Sequence, residues 1–187
     1  MSGTLFFEPE VTFPVLLAPM AGITDSAFRG ICRAMGADFS YTEMISAKGM
    51  HYNNANTGAL LETAPEETTF GVQLFGSEPD ILAEAAHTLC AGHLIGLRVI
   101  DINMGCAVRD VIKKGAGAGL IGNYELAEEI IKAVKKGSGG LPVSVKTRLG
   151  NKTNIAGEWL EFLLGQDLAA LTVHARIATQ MSGGLAD

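Results

Sequence analysis

Val15-Leu16-Leu17-Ala18-Pro19-Met20-Ala21-Gly22-Ile23-Thr24 is where the fold is decided. The run from Val15 to Met20 is short, apolar and bounded by turn residues, so it reads as a buried strand. A helix follows from about Asp25 to Met35, with Thr24 or Asp25 as its cap and Gly36 as its stop. A doubly wound nucleotide-binding sheet favours G-x-G-x-x-G in the intervening turn, where bare backbone approaches a pyrophosphate. Pro19-Met20-Ala21-Gly22-Ile23-Thr24 is no such turn. The later cluster Gly115-Ala116-Gly117-Ala118-Gly119 does not lie between a strand and its first helical turn either.

The strand-then-helix alternation continues outward from this start. Strands fit Asp38–Met44, Thr69–Phe75, Arg98–Asn103, Val143–Thr147 and Ala169–His174. Ser77-Glu78-Pro79-Asp80 reads as a capping-box start to a helix reaching Cys90. Another helix runs from Tyr124 to Lys136, with Asn123 as cap, acids in its first turn, lysines in its last and Gly137 behind. That charge order complements the helix dipole. Glu158–Leu164 reads as a further helix. Such alternation implies an α/β fold with a parallel sheet covered on both faces.

Five polar residues choose between the architectures that remain. Glu43, Gln73, Asn103, Lys146 and His174 sit at the C-terminal ends of different strands. In a TIM-type (β/α)8 barrel those ends converge on one mouth, where catalytic groups gather. A barrel is therefore expected, but an incomplete one. Six β/α units are countable, against eight in roughly 250 residues for the whole fold. Residues 1–187 are expected to form the N-terminal part of a barrel domain.

Bulk properties narrow the function. The 187 residues are 48% apolar and 18% charged, which disfavours disorder. Net charge is −6, so any attraction to nucleic acid must come from a local basic patch. The apolar stretch Phe13–Ile23 is too short to span a membrane and contains Pro14 and Pro19. The start Met1–Glu8 lacks the pattern of a secretory signal, so a cytoplasmic location is expected. Cys32, Cys90 and Cys106 form no C-x-x-C pair, and neither a disulfide framework nor a metal site is expected. Cys32 shares a helical stripe with Phe28, Ile31 and Met35, and Cys90 shares one with Leu82, Ala86 and Leu89; both read as core positions. Cys106 has no such stripe and lies on a glycine-flanked loop after a strand.

Six motifs occur in order: Leu17-Ala18-Pro19-Met20-Ala21-Gly22-Ile23-Thr24-Asp25, Thr42-Glu43-Met44, Val72-Gln73-Leu74-Phe75-Gly76, Asp101-Ile102-Asn103-Met104-Gly105-Cys106, Val145-Lys146-Thr147-Arg148-Leu149-Gly150 and Thr172-Val173-His174-Ala175-Arg176. Together they resemble the tRNA-dihydrouridine synthases of bacterial type. The resemblance implies an FMN-bearing barrel followed by a helical domain that grips tRNA, with NADPH reducing the flavin. It implies flavin contacts from Pro19, Met20, Ala21, Gln73, Lys146 and His174. Asn103 would orient the uracil, Arg148 and Arg176 would meet the substrate, and Cys106 would be the acid. Hydride delivered to C6 of the uracil requires a proton at C5. An ordinary thiol titrates near ~8.5, is mostly protonated at neutral pH and can serve as that acid. Lys146 would offer positive charge to the flavin edge that gains negative charge on reduction.

The chain departs from the family pattern in places. Ala107 stands where the family commonly has proline, and Ile177-Ala178-Thr179 replaces a more polar loop before Gln180. The last barrel units and the tRNA-gripping domain are expected to be missing, so weak FMN binding and self-association through open sheet edges are expected of this polypeptide alone. Arg109, Lys113 and Lys114 follow Cys106 and are candidates for meeting tRNA phosphates. Two alternatives remain open: an FMN barrel acting on free pyrimidines, and an inactive fragment that needs a partner.

Overall fold

The computed structural model describes residues 13–65 and 67–187; the stretch Met1–Glu8 lies outside them. A two-residue β1 (Leu16–Leu17) leads to α1 (Ser26–Ala34) and β2 (Phe39–Ser46). Two short helices, α2 (Ala47–His51) and α3 (Ala55–Ala59), precede β3 (Phe70–Phe75). Then come α4 (Pro79–Ala91), β4 (Leu97–Met104), α5 (Arg109–Lys113) and, after a 3-10 turn at Gly117–Leu120, α6 (Tyr124–Gly137). The last units are β5 (Val143–Gly150), α7 (Ala156–Leu164) and β6 (Ala170–Ile177). Among the described residues all six strands are parallel, and each pairs only with its neighbours in sequence.

Period-two alternation divides the sheet into an inner and an outer face. Phe70, Val72 and Leu74 of β3, Ile100, Ile102 and Met104 of β4, and Val143 and Val145 of β5 belong to the main core with Leu82, Leu89, Ile130, Val134, Trp159 and Leu163 of the helices. The opposite face carries Phe39, Tyr41 and Val99, a second cluster joined by Leu16 and Ala170. Those last two residues belong to the two edge strands. Side chains from opposite edges meet on one plug because the sheet curls. The fold is thus the expected TIM-type (β/α) barrel in part, with six strands and their helices.

Some local expectations are corrected. β1 covers only Leu16–Leu17 rather than Val15–Met20, because Pro19 lacks an N–H and the chain turns at Met20. Of the two caps expected for α1, Asp25 is the one used, accepting from the Phe28 N–H at 2.8 Å. Thr24 instead accepts from the Met20 N–H. No side chain caps α4, so its capping box does not form; Pro79 starts the helix. Gly137 ends α6 from inside rather than standing behind it.

The largest correction concerns Cys32. Its stripe faces outward: Ile31 is 63% exposed and Met35 83%, whereas Arg29 and Gly30 are buried. Charge overrides periodicity there. Arg29 makes a bidentate pair with Glu67 at 2.7 and 3.0 Å and donates to the Thr24 and Glu62 carbonyls. Ser40 and the Ala64 N–H complete the bonding of Glu67. A buried ion pair bonded this fully holds its helix face inward. Cys90 does share the buried stripe of Leu82, Ala86 and Leu89, and its thiol donates to the Ser138 carbonyl. Among the described residues no helix is long and apolar enough to cross a membrane.

Candidate active site

The inner face of the sheet is tiered by register. Above the Phe39–Tyr41–Val99 plug lie Gln73, Asp101 and Ser144, paired across β3, β4 and β5. Asn103, Lys146 and Thr172 form the next row, and Arg148 and His174 the one above it. A cavity of about 620 Å3 opens over these rows. Pro19, Met20, Ala21, Gln73, Asn103, Cys106, Lys146, Arg148 and His174 all line it. Nine of the ten candidate residues therefore meet in one place. Arg176 does not line it and sits behind His174.

Glu43 is also absent from the lining. A register shift in β2 between Tyr41 and Met44 turns Met44 toward the cavity, while Glu43 accepts from the Gly22 N–H. Glu43 is thus a loop-packing residue.

The deep rows are a chain of hydrogen bonds. Asn103 Oδ1 accepts from the N–H groups of Gly105 and Cys106 at 3.1 and 2.8 Å. Asn103 Nδ2 donates to Gln73 Oε1 at 2.8 Å, and Gln73 Nε2 donates to Asp101 Oδ2 at 2.7 Å. Ser144 Oγ donates to the other oxygen of Asp101 at 2.5 Å. Sequence reading missed Asp101 and Ser144. The signal was available: Asp101 lies two residues before Asn103 and so shares its face.

Three further contacts hold the Cys106 loop. The Cys106 carbonyl accepts from the Ala118 N–H at 2.9 Å, and Arg148 Nε donates to the Gly105 carbonyl at 2.8 Å. Gly117, at φ +58°, packs so tightly behind Cys106 that a Cβ would lie 2.8 Å from its carbonyl oxygen. The glycine cluster that carried no phosphate signal thus seats the cysteine loop. These anchors hold the loop with Ala107 in the position after the cysteine. Arg148 Nη1 also reaches the Met181 carbonyl at 2.7 Å, tying this loop to the one after β6.

Electrostatics follow from burial. Burial pushes the Asp101 carboxyl up to about 6, against the bonds from Gln73 and Ser144 and the charge of Lys146. Burial lowers the Lys146 ammonium; Asp101 opposes this and Arg148 adds to it. Burial is also the main cause that lowers His174, followed by Arg148, Lys146 and Arg176. Its Nε2 faces Arg176 Nη1 at 2.9 Å. A guanidinium only donates, so Nε2 accepts and Nδ1 carries the proton. Apolar walls with clustered donors at one side suit a planar heteroaromatic group with a polar edge.

Arg109 and Lys113 are exposed on α5, and Lys114 is exposed just after it, beside the Cys106 loop. A second cavity of about 460 Å3 is lined in part by Lys48, Ser77, Glu78 and, of the candidate residues, Lys114. Among the described residues no group of three or more His, Cys, Asp or Glu is arranged to hold a metal ion.

In barrel enzymes catalytic groups gather at the carboxyl ends of the strands, where this cavity opens. Comparison with known proteins specifies the kind. The family model described as dihydrouridine synthase (Dus) matches residues 16–187. The chain is 38% identical to the probable tRNA-dihydrouridine synthase 1 of Synechocystis sp., over 92% of its own length and 48% of that protein. It is 36% identical to the probable tRNA-dihydrouridine synthase of Staphylococcus aureus, over 89% and 51%. It is 35% identical to tRNA-dihydrouridine synthase B of Pseudomonas aeruginosa, over 92% and 52%. The chain belongs to the dihydrouridine synthase family. It spans about half the length of the curated relatives it matches.

Proposed function

We propose that this chain carries the flavin and uridine site of an FMN-dependent tRNA-dihydrouridine synthase. The enzyme would reduce particular uridines of tRNA to 5,6-dihydrouridine in the cytoplasm, with NADPH as reductant. The observation that carries this reading is the convergence of Cys106, Asn103, Gln73, Lys146 and His174 on one cavity. The residues present fit FMN by donor set and by size, since about 620 Å3 lies in the range of cofactor sites. FMN, once reduced, supplies the hydride for C6 of the uracil.

The chain's own residues do the rest. Pro19, Met20 and Ala21 flank the ring system, Gln73 and Lys146 bond its polar edge, and His174, kept neutral, contacts it without adding charge. Lys146 contributes the positive charge that a reduced, anionic ring needs. Asn103 orients the uracil, and its hold on the Cys106 N–H fixes the loop from which Sγ passes a proton to C5. The target uridine leaves its stack to enter the cavity. Arg148 and Arg176 guide it from the rim, and the exposed Arg109, Lys113 and Lys114 meet phosphates.

Cys106→Ala in the intact protein tests the reading. FMN content and reduction by NADPH should match the parent, while dihydrouridine formed in unmodified tRNA falls by about 10²–10⁴-fold. Undiminished product from Cys106→Ala removes the cysteine from the mechanism. A parent whose flavin is reoxidised by orotate or uracil but not by tRNA belongs to the free-pyrimidine enzymes instead.

A further inference from the structure

Asp101 is buried at 2% exposure and is not in the lining of the cavity. Yet it ends the hydrogen-bond chain that begins at the Cys106 loop. The two ends of that chain differ in kind. Backbone N–H groups only donate, and a carboxylate only accepts. Between them the amides of Asn103 and Gln73 have one consistent orientation, Oδ1 toward the loop and Nε2 toward Asp101. A neutral amide at position 101 could accept or donate equally well, so this end of the chain would no longer enforce the polarity that the loop N–H groups set from the other end.

We propose that Asp101 is a positioning residue of this site: from the end opposite the Cys106 loop it locks which amide atoms Gln73 and Asn103 present to the cavity. The proposal rests on the flavin reading for its function, not for its geometry. Asp101 is faced by Tyr41 from β2, Gln73 from β3, and Ser144 and Lys146 from β5. Ser144 donates to the second oxygen, and Gln73 is the cavity-lining side chain that hydrogen-bonds Asp101 directly, while Lys146 acts on it through charge. A carboxylate needed only to fill space would be replaced there by an apolar or amide residue without loss, since an unpaired charge in such a place is costly.

The test uses Asp101→Asn, which keeps the shape and removes the enforced acceptor. Side-chain amide signals of Gln73 and Asn103 in the FMN-free parent should move together as pH falls, with one midpoint at about 6, while that of Asn123 stays still. In Asp101→Asn that shared midpoint should vanish, which separates Asp101 from Lys146, Tyr41 and His174 as its source. FMN affinity should drop by about tenfold or more in the variant, with no loss of thermal stability in the FMN-free form. Amide signals of the parent that ignore pH between 4 and 8 overturn the proposal, and that measurement stands even where the variant does not fold. Variant FMN affinity within twofold of the parent overturns it too. A parent that binds no FMN defeats the flavin reading instead, and the amide titration still decides the role of Asp101.

Discussion

A carboxylate sealed inside a barrel costs stability whenever it is charged, and Asp101 is sealed. Its folded value of about 6 lies above the ordinary 3.8, so the folded chain holds this proton more tightly than the unfolded one. The resulting stability is fully present below pH 3.8 and is lost as pH rises through about 6. A shift of this size corresponds to about 3 kcal/mol. Asp101→Asn is therefore expected to be more stable than the parent at pH 8, with a gain that fades through pH 6 and is gone near pH 4. Denaturant titrations at several pH values check this; a constant difference from pH 8 to pH 4 contradicts it. His174 works in the opposite direction, since its lowered value costs stability as pH falls, but it is common to both proteins and cancels. The residues at strand ends, Gln73, Asn103, Lys146 and His174, were legible in the sequence because a polar side chain ending an apolar run has no place in a core. Asp101 and Ser144 lie a step deeper: strand alternation places them on the faces of Asn103 and Lys146, but only the bonds they make show their part in the site.

Elements were legible where the signal was local. Asp25 before α1 and Asn123 before α6 are caps that a reader of the sequence finds, and both accept a helix N–H. What depends on a distant neighbour was not legible. Glu67 is 38 residues from Arg29 in sequence, so nothing near Arg29 announces that its helix face turns inward. Gly137 is a similar case. It looks like a stop signal, but it is the point where α6 crosses α4, and a Cβ there would lie 2.2 Å from the Ala83 carbonyl oxygen. An alanine in an exposed helix gains up to about 1 kcal/mol over glycine. Here Gly137→Ala is expected to lose about 1–3 kcal/mol instead, since α4 must be pushed away. Thermal melting decides the sign, and a raised midpoint would show that the two helices separate freely.

At the scale of the molecule, the alternation of strands and helices together with polar strand ends led to the barrel, while the curl itself became visible only through Leu16 and Ala170 sharing one plug. β1 and β6 remain the edges of the described sheet. Phe13 and Val15 beside β1, Ile31 on α1 and Met35 just after it are largely exposed, as is Leu164 at the end of α7. The polypeptide of residues 1–187, purified alone, is expected to self-associate through these surfaces at micromolar concentration. Light scattering that reports the mass of one chain at every concentration contradicts this. The order of the strands has a consequence for how the molecule comes into being. Because every strand pairs only with its predecessor and successor, each newly synthesised β/α unit meets a docking edge already made by the chain ahead of it. Assembly can follow the ribosome from one end to the other, and only the plug of Phe39, Tyr41 and Val99 must wait for residue 170 to arrive.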